Sequence, residues 1–198
     1  MSHMAQALRF LIENIAGFFA LALLLRFYLQ VVKAPFQHPL PQFLLAFTNW
    51  IVLPTRRIVK AIGGYDTATL LLAWLTLLLK NFLVINLFPI SISFVMPVAL
   101  MGLMLLSVVH VLQLSVYLLM GAVIVQAILS WVSPYGNPLT PILGRITDPF
   151  LRPLQKRIPP IGGVDLSPLV LLLILQVILM LAISPLESTM FALMVNQG

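Results

Sequence analysis

The chain contains no cysteine, which removes disulfides, thiolate chemistry and cysteine-ligated metals and leaves the redox compartment unmarked. Charge is almost as scarce. Only 8% of the 198 residues are Asp, Glu, Lys or Arg, against about 25% in an ordinary soluble domain. Hydrophobic residues make up 61%, above the usual soluble share of about 45 to 50%, and a soluble fold has nowhere to put that excess. The 11 basic residues outnumber five acidic ones for a net charge of +6. They are too few and too clustered for a nucleic-acid surface, so no nucleic-acid partner is expected.

Motifs for chemistry are missing as well. The sequence has no Gly-rich nucleotide loop, no His-Glu-x-x-His pair and no serine nucleophile elbow. Its three histidines, His3, His38 and His110, are far apart in sequence, which gives no basis for a metal site. Neither catalysis nor a bound cofactor is expected.

What is present is apolar sequence in long runs. Four stretches, Ala7 to Val32, Thr67 to Pro89, Val98 to Val132 and Pro168 to Met194, each reach the about 20 helical residues that cross a hydrocarbon core of about 30 Å. Four such runs in so short a chain leave too few polar residues to clothe them in water, so they are predicted to span a bilayer. The first is read as a retained span rather than a cleaved signal. Its apolar run is longer than about 15 residues, Glu13 stands near its start, and no small-x-small site closes it.

Lys33, Arg56, Arg57 and Lys60 fall in the first long loop and Arg145, Arg152, Lys156 and Arg157 in the second, eight of the 11 basic residues. Cytoplasmic loops carry such an excess, so both long loops are predicted to face the cytoplasm and both termini the outside. Arg9 weakly opposes this assignment.

A shift of 99 residues superposes the two long loops without a gap: Pro35 on Pro134, Pro39-Leu40 on Pro138-Leu139, Thr48 on Thr147, Pro54 on Pro153, and Ile62-Gly63-Gly64-x-Asp66 on Ile161-Gly162-Gly163-x-Asp165. Glycines, prolines and an aspartate in one register mark an internal duplication. Each copy holds two spans, so the second copy enters the membrane in the same direction as the first. The expected fold is an all-α membrane protein of four transmembrane helices, two parallel-repeated helical hairpins with amphipathic loop segments. The units cover residues 5–97 and 98–195.

Inside each loop, apolar residues recur at helical spacing: Leu40, Phe43, Leu44, Phe47 and Ile51, and correspondingly Leu139, Ile142, Leu143, Ile146 and Phe150. About 14 residues precede Pro54 or Pro153, roughly 21 Å of helix, which is short for a span. An interfacial amphipathic helix is the simplest account; a re-entrant segment or packing on a partner are the alternatives. The basic residues of both loops, Arg56, Arg57, Lys60, Arg145, Arg152, Lys156 and Arg157, are candidate contacts for anionic lipid or a protein partner. Orientation in the membrane alone is the simpler explanation of their charge. Gly63-Gly64 and Gly162-Gly163 read as turns, Asp66 and Asp165 as caps of the following helices, and Ser167-Pro168 as a further cap with proline at the first helical position.

Charged and polar groups within the spans require partners. Glu13, Lys80, His110 and Gln113 fall in the same half of the membrane and form a candidate polar cluster, suited to hydrogen-bonded helix packing or to carrying ions or protons. Arg26 and Glu187, near span ends, are expected to snorkel. The charged positions are not duplicated: Glu13 aligns with Leu112, Arg26 with Val125 and Lys80 with Leu179.

Pro138-Leu139, Leu151-Arg152-Pro153-Leu154, the basic residues that follow, and Gly162-Gly163-Val164-Asp165-Leu166-Ser167-Pro168 resemble the YggT family of small bacterial integral membrane proteins, with plastid and cyanobacterial relatives. The first copy departs from the motif, with Leu53 in the place of Arg152 and Thr67-Ala68-Thr69 in that of Leu166-Ser167-Pro168. The resemblance implies tandem two-span units in a bacterial plasma (inner) membrane, where the outward termini expected from the basic loops would be periplasmic. It also implies roles in membrane organisation, cofactor-protein assembly or osmotic and ion homeostasis, without a settled reaction. Because the loops are duplicated and the buried charges are not, the expected function is a membrane scaffold or assembly factor. Its cytoplasmic loops would act on anionic lipids or on a membrane or cytoplasmic protein, with a homo-oligomer as a further possibility. The alternative is a small ion channel or transport component in osmotic or ion homeostasis.

Overall fold

The computed structural model describes residues 3–35, 38–87, 97–132, 137–160 and 165–195. Among them helices dominate, and the only β feature is an isolated bridge between Ile62 and Tyr65. Four helical stretches are long and apolar enough to cross a membrane: α1 (His3–Val31), α3 (Thr67–Leu87), α4 (Pro97–Val132) and a fourth running from Ser167 to Val195. The fourth consists of α6 (Ser167–Ile178), one wide π turn (Leu179–Ile183) and α7 (Ser184–Val195). The shorter α2 (Pro39–Ile58) and α5 (Thr140–Gln155) occupy the two loops. The molecule is a multi-pass membrane protein of four helices in two hairpins. In the first, α1 packs on α3; in the second, α4 packs on the fourth span; α3 against α4 joins them.

Local chemistry sets the ends of these helices. After α1, Lys33 takes a left-handed conformation (φ 51°), and the Ala34 N–H closes on the Leu29 carbonyl at 2.9 Å, which stops the helix. His38 then caps α2, its Nδ1 accepting from the Leu40 N–H at 3.2 Å, with Pro39 in the first turn where no N–H is needed. Both loop helices run on through a late proline, α2 through Pro54 to Ile58 and α5 through Pro153 to Gln155.

In the spans, apolar side chains face outward as well as inward. Phe10, Phe18, Leu79, Leu173, Met180 and Leu181 are all more than half exposed on the isolated chain, the pattern of a surface that meets lipid. Buried Leu23, Leu24, Leu72, Ala73, Leu119, Val123, Leu171 and Leu175 form one contiguous core through all four spans.

The π turn has a geometric cause. Leu171, Leu175, Leu179 and Ile183 are buried at a spacing of four, and in a strict α-helix each such step drifts about 40° off one face. One wide turn absorbs the drift. It also prepares for Pro185, which has no N–H to continue the ladder; the Ser184 N–H instead reaches back five residues to the Leu179 carbonyl. Farther along, α4 and α7 approach closely: a Cβ on Gly102 would stand 2.7 Å from Met194 Cγ and 3.3 Å from the Met190 carbonyl.

Candidate functional site

Two polar regions sit at opposite ends of the bundle. At the loop end, α2 and α5 lie against their own hairpins through a shared device. Thr48 and its repeat partner Thr147 are both fully buried, and each hydroxyl bonds back to the carbonyl four residues earlier, Leu44 at 2.5 Å and Leu143 at 3.0 Å. Each threonine also meets a polar side chain from the preceding span. Arg26 Nη1 donates to Thr48 Oγ1 at 2.6 Å and to Asn49 Oδ1 at 2.9 Å, whereas the single Thr147 hydroxyl hydrogen is shared between the Leu143 carbonyl and Gln126 Oε1.

Arg26 therefore does not snorkel as expected. It is 1% exposed, sealed beneath α2, and its Nε has no hydrogen-bond partner. A guanidinium in an apolar bundle requires acceptors, and Thr48 and Asn49 of α2 supply them. The outer face of α2 carries Phe43, Trp50 and Leu53, each at least half exposed, and ends on exposed Arg57 in the last turn. Phe47 packs edge-on against Phe18 and Phe19 of α1, carrying α2 alongside the span rather than across its end.

α5 is the opposite kind of surface. Ile142, Ile146 and Leu151 face the bundle, but Arg145 and Arg152 stand where the first copy has Ala46 and Leu53. With Asp148, Lys156 and Arg157 they line a groove of about 650 Å³. Arg145 also donates to the Lys33 and Val32 carbonyls, tying the second loop to the first, and Arg152 pairs with Asp148 at 2.5 Å. Sequence spacing treated the loops as equivalent amphipaths; in the structure the outer face of α2 is apolar as far as Arg57, and that of α5 is basic along its length.

Both aspartates of the duplicated turn are braced from ten residues earlier. Arg56 Nη2 meets Asp66 Oδ2 at 2.5 Å, and Gln155 Nε2 meets Asp165 Oδ2 at 2.8 Å. Gln30 completes the first set: with its amide nitrogen toward Asp66 it donates at 2.9 Å and accepts from Arg56 at 2.8 Å. Asp66 caps α3 through the Thr69 N–H at 3.4 Å and the Thr69 hydroxyl. Burial acts to raise its carboxyl pKa, but the bonds from Arg56 and Thr69 outweigh that and hold it below the ordinary 3.8. Asp165 is likewise held low, burial being outweighed by bonds from Ser167 and Gln155.

Gly63 and Gly64 adopt left-handed angles of 61° and 81°, which a Cβ resists. Gly162 and Gly163 lie outside the described residues. Ser167 is not the cap expected of it. It is the first residue of α6, after Leu166, and its own N–H bonds Asp165 Oδ1 at 2.8 Å. The Ser167 hydroxyl is buried without a well-formed hydrogen bond, near enough to Asp165 to favour its charge. Pro168 follows in the first turn, as expected. Lys60 is exposed, and its carbonyl accepts from Thr67 Oγ1 at 2.8 Å.

At the other end, Glu13, Lys80, His110 and Gln113, singled out from sequence, line a single cavity of about 660 Å³. The structure adds Arg9, Asn81, Ser184, Glu187 and Ser188 to its wall. Arg9 pairs with Glu13 at 2.8 Å. His110 is held on both nitrogens, Nδ1 3.0 Å from Asn81 Oδ1 and Nε2 3.3 Å from Glu187 Oε1. Glu187, expected to snorkel, instead turns toward His110 at the cavity wall, with its side chain 42% exposed. Its participation was not visible from spacing, because the π turn decides which way α7 faces.

Between the two polar regions lies the apolar core. On α1, Leu23 and Leu24 separate Glu13 from Arg26; on α3, Leu72 and Ala73 separate Thr69 from Lys80; on α4, Leu119 and Val123 separate Gln113 from Gln126. The cavity is closed off from the loop end by this layer. Among the described residues no group of His, Asp or Glu is arranged to hold a metal ion.

The chain matches the CCB3/YggT family model over residues 5–87 and 105–186. It is 34% identical to the uncharacterized protein YggT of Escherichia coli strain K12 over 182 residues, 92% of each chain. It is 36% identical to the uncharacterized protein PA0392 of Pseudomonas aeruginosa over 180 residues, 90% of this chain and 89% of that one. A shorter likeness, 36% over 69 residues, links 33% of this chain to 72% of the uncharacterized protein ycf19 of Guillardia theta. No solved structure matches significantly. With both hairpins matched by one family model and near-full-length relatives at this identity, the chain belongs to the CCB3/YggT family.

Proposed function

We propose that the protein is a scaffold or assembly factor of the bacterial plasma membrane, holding lipid or a protein partner at its loop end, with both loops cytoplasmic and both termini periplasmic. The observation that carries this reading is the unlike pair of outer faces on α2 and α5. The apolar face of α2, with Phe43, Trp50 and Leu53 exposed, is suited to hydrocarbon. The basic groove of α5 is suited to the phosphate layer just outside it, where each cation near an anionic surface contributes about 1 kcal/mol. Together they present an apolar surface and a charged one at one end of the bundle.

Photocrosslinking in cells tests this reading. Crosslinkers at Leu53 and Phe150, both about half exposed and outside the basic set, are expected to capture either one reproducible protein or phospholipid. The Phe150 adduct should fall several-fold in Arg152→Gln/Arg157→Gln. Absence of specific adducts at both positions would remove the proposal.

A second reading, passage of ions, is favoured by the charged lining of the cavity at the far end. It requires the apolar layer of Leu23, Leu24, Ala73 and Leu119 to open. Purified protein in liposomes should then support flux that Lys80→Met or Glu13→Gln alters; impermeable liposomes would contradict it.

A further inference from the structure

We propose that the cavity between α1, α3, α4 and α7 binds a singly charged oxyanion, of the monocarboxylate or phosphate class, together with one proton. This concerns occupancy of the cavity, and stands whether or not the site opens toward the loop end.

The charges around the cavity come from every helix that walls it: Arg9 and Glu13 on α1, Lys80 on α3, His110 on α4 and Glu187 on α7. Arg9 and Glu13 neutralise one another across their 2.8 Å ion pair. Lys80 makes no ion pair or hydrogen bond among the described residues, although Glu13 and Glu187 lie within its electrostatic reach. A partly buried ammonium group without a direct partner is stabilised by an anion that reaches it, so Lys80 is the group a ligand anion would meet. The cavity wall also contains Leu106 and Phe191, which accommodate a short apolar tail.

The proton follows from the hydrogen-bond chain behind His110. Ser107 Oγ donates to the Leu103 carbonyl at 2.8 Å, which leaves its lone pairs facing Asn81 Nδ2 at 3.1 Å. Asn81 must therefore turn its nitrogen to Ser107 and its oxygen to His110, so Nδ1 of His110 carries a hydrogen. Nε2 then faces Glu187 Oε1 at 3.3 Å. Imidazole Nε2 without hydrogen and a carboxylate both accept, and this contact is a bond only when the pair shares one additional proton. With that proton present the His110 and Glu187 pair is neutral overall and Lys80 leaves the cavity with one positive charge. A monoanion balances it. Without the proton the charges of the lining already cancel, and an added anion would bring a net negative charge into a partly buried cavity. Anion and proton therefore enter together.

The test uses the full chain in detergent and in phosphatidylcholine nanodiscs. Acetate or inorganic phosphate, added to weakly buffered wild-type protein, is expected to bind saturably by calorimetry and to draw about one proton per anion from a pH indicator dye. Lys80→Met should weaken binding at least tenfold, and Lys80→Arg should restore it in part. Glu187→Gln should remove the proton uptake while the protein stays monodisperse. If phosphatidylglycerol in the nanodisc competes with the soluble anion, the natural oxyanion is a lipid headgroup; if it does not, the ligand is a solute. Wild-type protein that binds neither anion, or binds one without taking up a proton, overturns the proposal, as does undiminished binding by a folded Lys80→Met protein.

Discussion

The two buried threonines offer a controlled comparison of what a buried cation demands. Thr48 and Thr147 share burial, back-bond and repeat position, but Thr48 accepts from the guanidinium of Arg26 and Thr147 donates to the neutral amide of Gln126. Hydrogen bonds to charged groups contribute about 1.5 to 3 kcal/mol, and neutral ones about 0.5 to 1.5. Thr48→Val should therefore lower the thermal unfolding temperature in detergent more than Thr147→Val does, and equal losses would contradict a charged role for Arg26. Asp66 makes a second residue-scale prediction. Its folded-state carboxyl lies below the ordinary 3.8, so an unfolded chain takes up the proton at higher pH than the folded one. The stabilisation is complete above that ordinary value and disappears as pH falls through the lower folded value. Asp66→Asn should cost about 1 kcal/mol at pH 7, a modest figure because half-exposed Arg56 is screened by solvent, and should flatten unfolding temperature against pH below about 4. An unchanged acid profile would show that the brace contributes nothing. Sequence spacing pointed to Asp66 as a cap because the Gly-Gly-x-Asp signal is local. It could not show Arg26 meeting Thr48, a contact 22 residues away that exists only once α2 folds back on α1.

At the scale of elements, the duplicated turn and the π turn carry opposite lessons. Gly63 and Gly64 occupy left-handed angles, where a residue with a Cβ loses about 1 to 2 kcal/mol. Gly63→Val/Gly64→Val should therefore reduce the yield of folded, membrane-inserted protein. Gly121→Ala, where a Cβ would meet nothing within 4 Å, should leave that yield unchanged. Equal accumulation of the two in protease-protection assays would contradict the turn assignment. This turn was legible because glycine pairs have few other uses. The π turn was not, since nothing in Leu179-Met180-Leu181-Ala182-Ile183 differs from ordinary helical sequence; only the spacing of buried side chains and the position of Pro185 reveal it. The same limit applies to the loops. Their apolar periodicity was visible in both copies, but periodicity does not encode which side chain of the preceding span meets the buried threonine, Arg26 at Thr48 in one copy and Gln126 at Thr147 in the other.

On the scale of the whole molecule, the four spans and their duplication were readable because length, hydropathy and a constant offset are properties of sequence alone. Glu13, Lys80, His110 and Gln113 come together across three helices because each was placed at the same depth by counting residues from the span ends. Arg9 and Glu187 join them through helix rotation, which counting does not supply. The account as a whole depends on four crossings with both loops on the cytoplasmic side and the charged cavity toward the other. Because these 198 residues contain no cysteine, single cysteines placed among them report position without background. The most direct measurement is labelling of Ile62→Cys and Pro159→Cys, both at exposed positions in the two loops, by a membrane-impermeant maleimide in intact and in permeabilised cells. Both should remain unlabelled until the membrane is opened. Labelling of both in intact cells would invert the proposed orientation, and labelling of one alone would contradict the parallel hairpins.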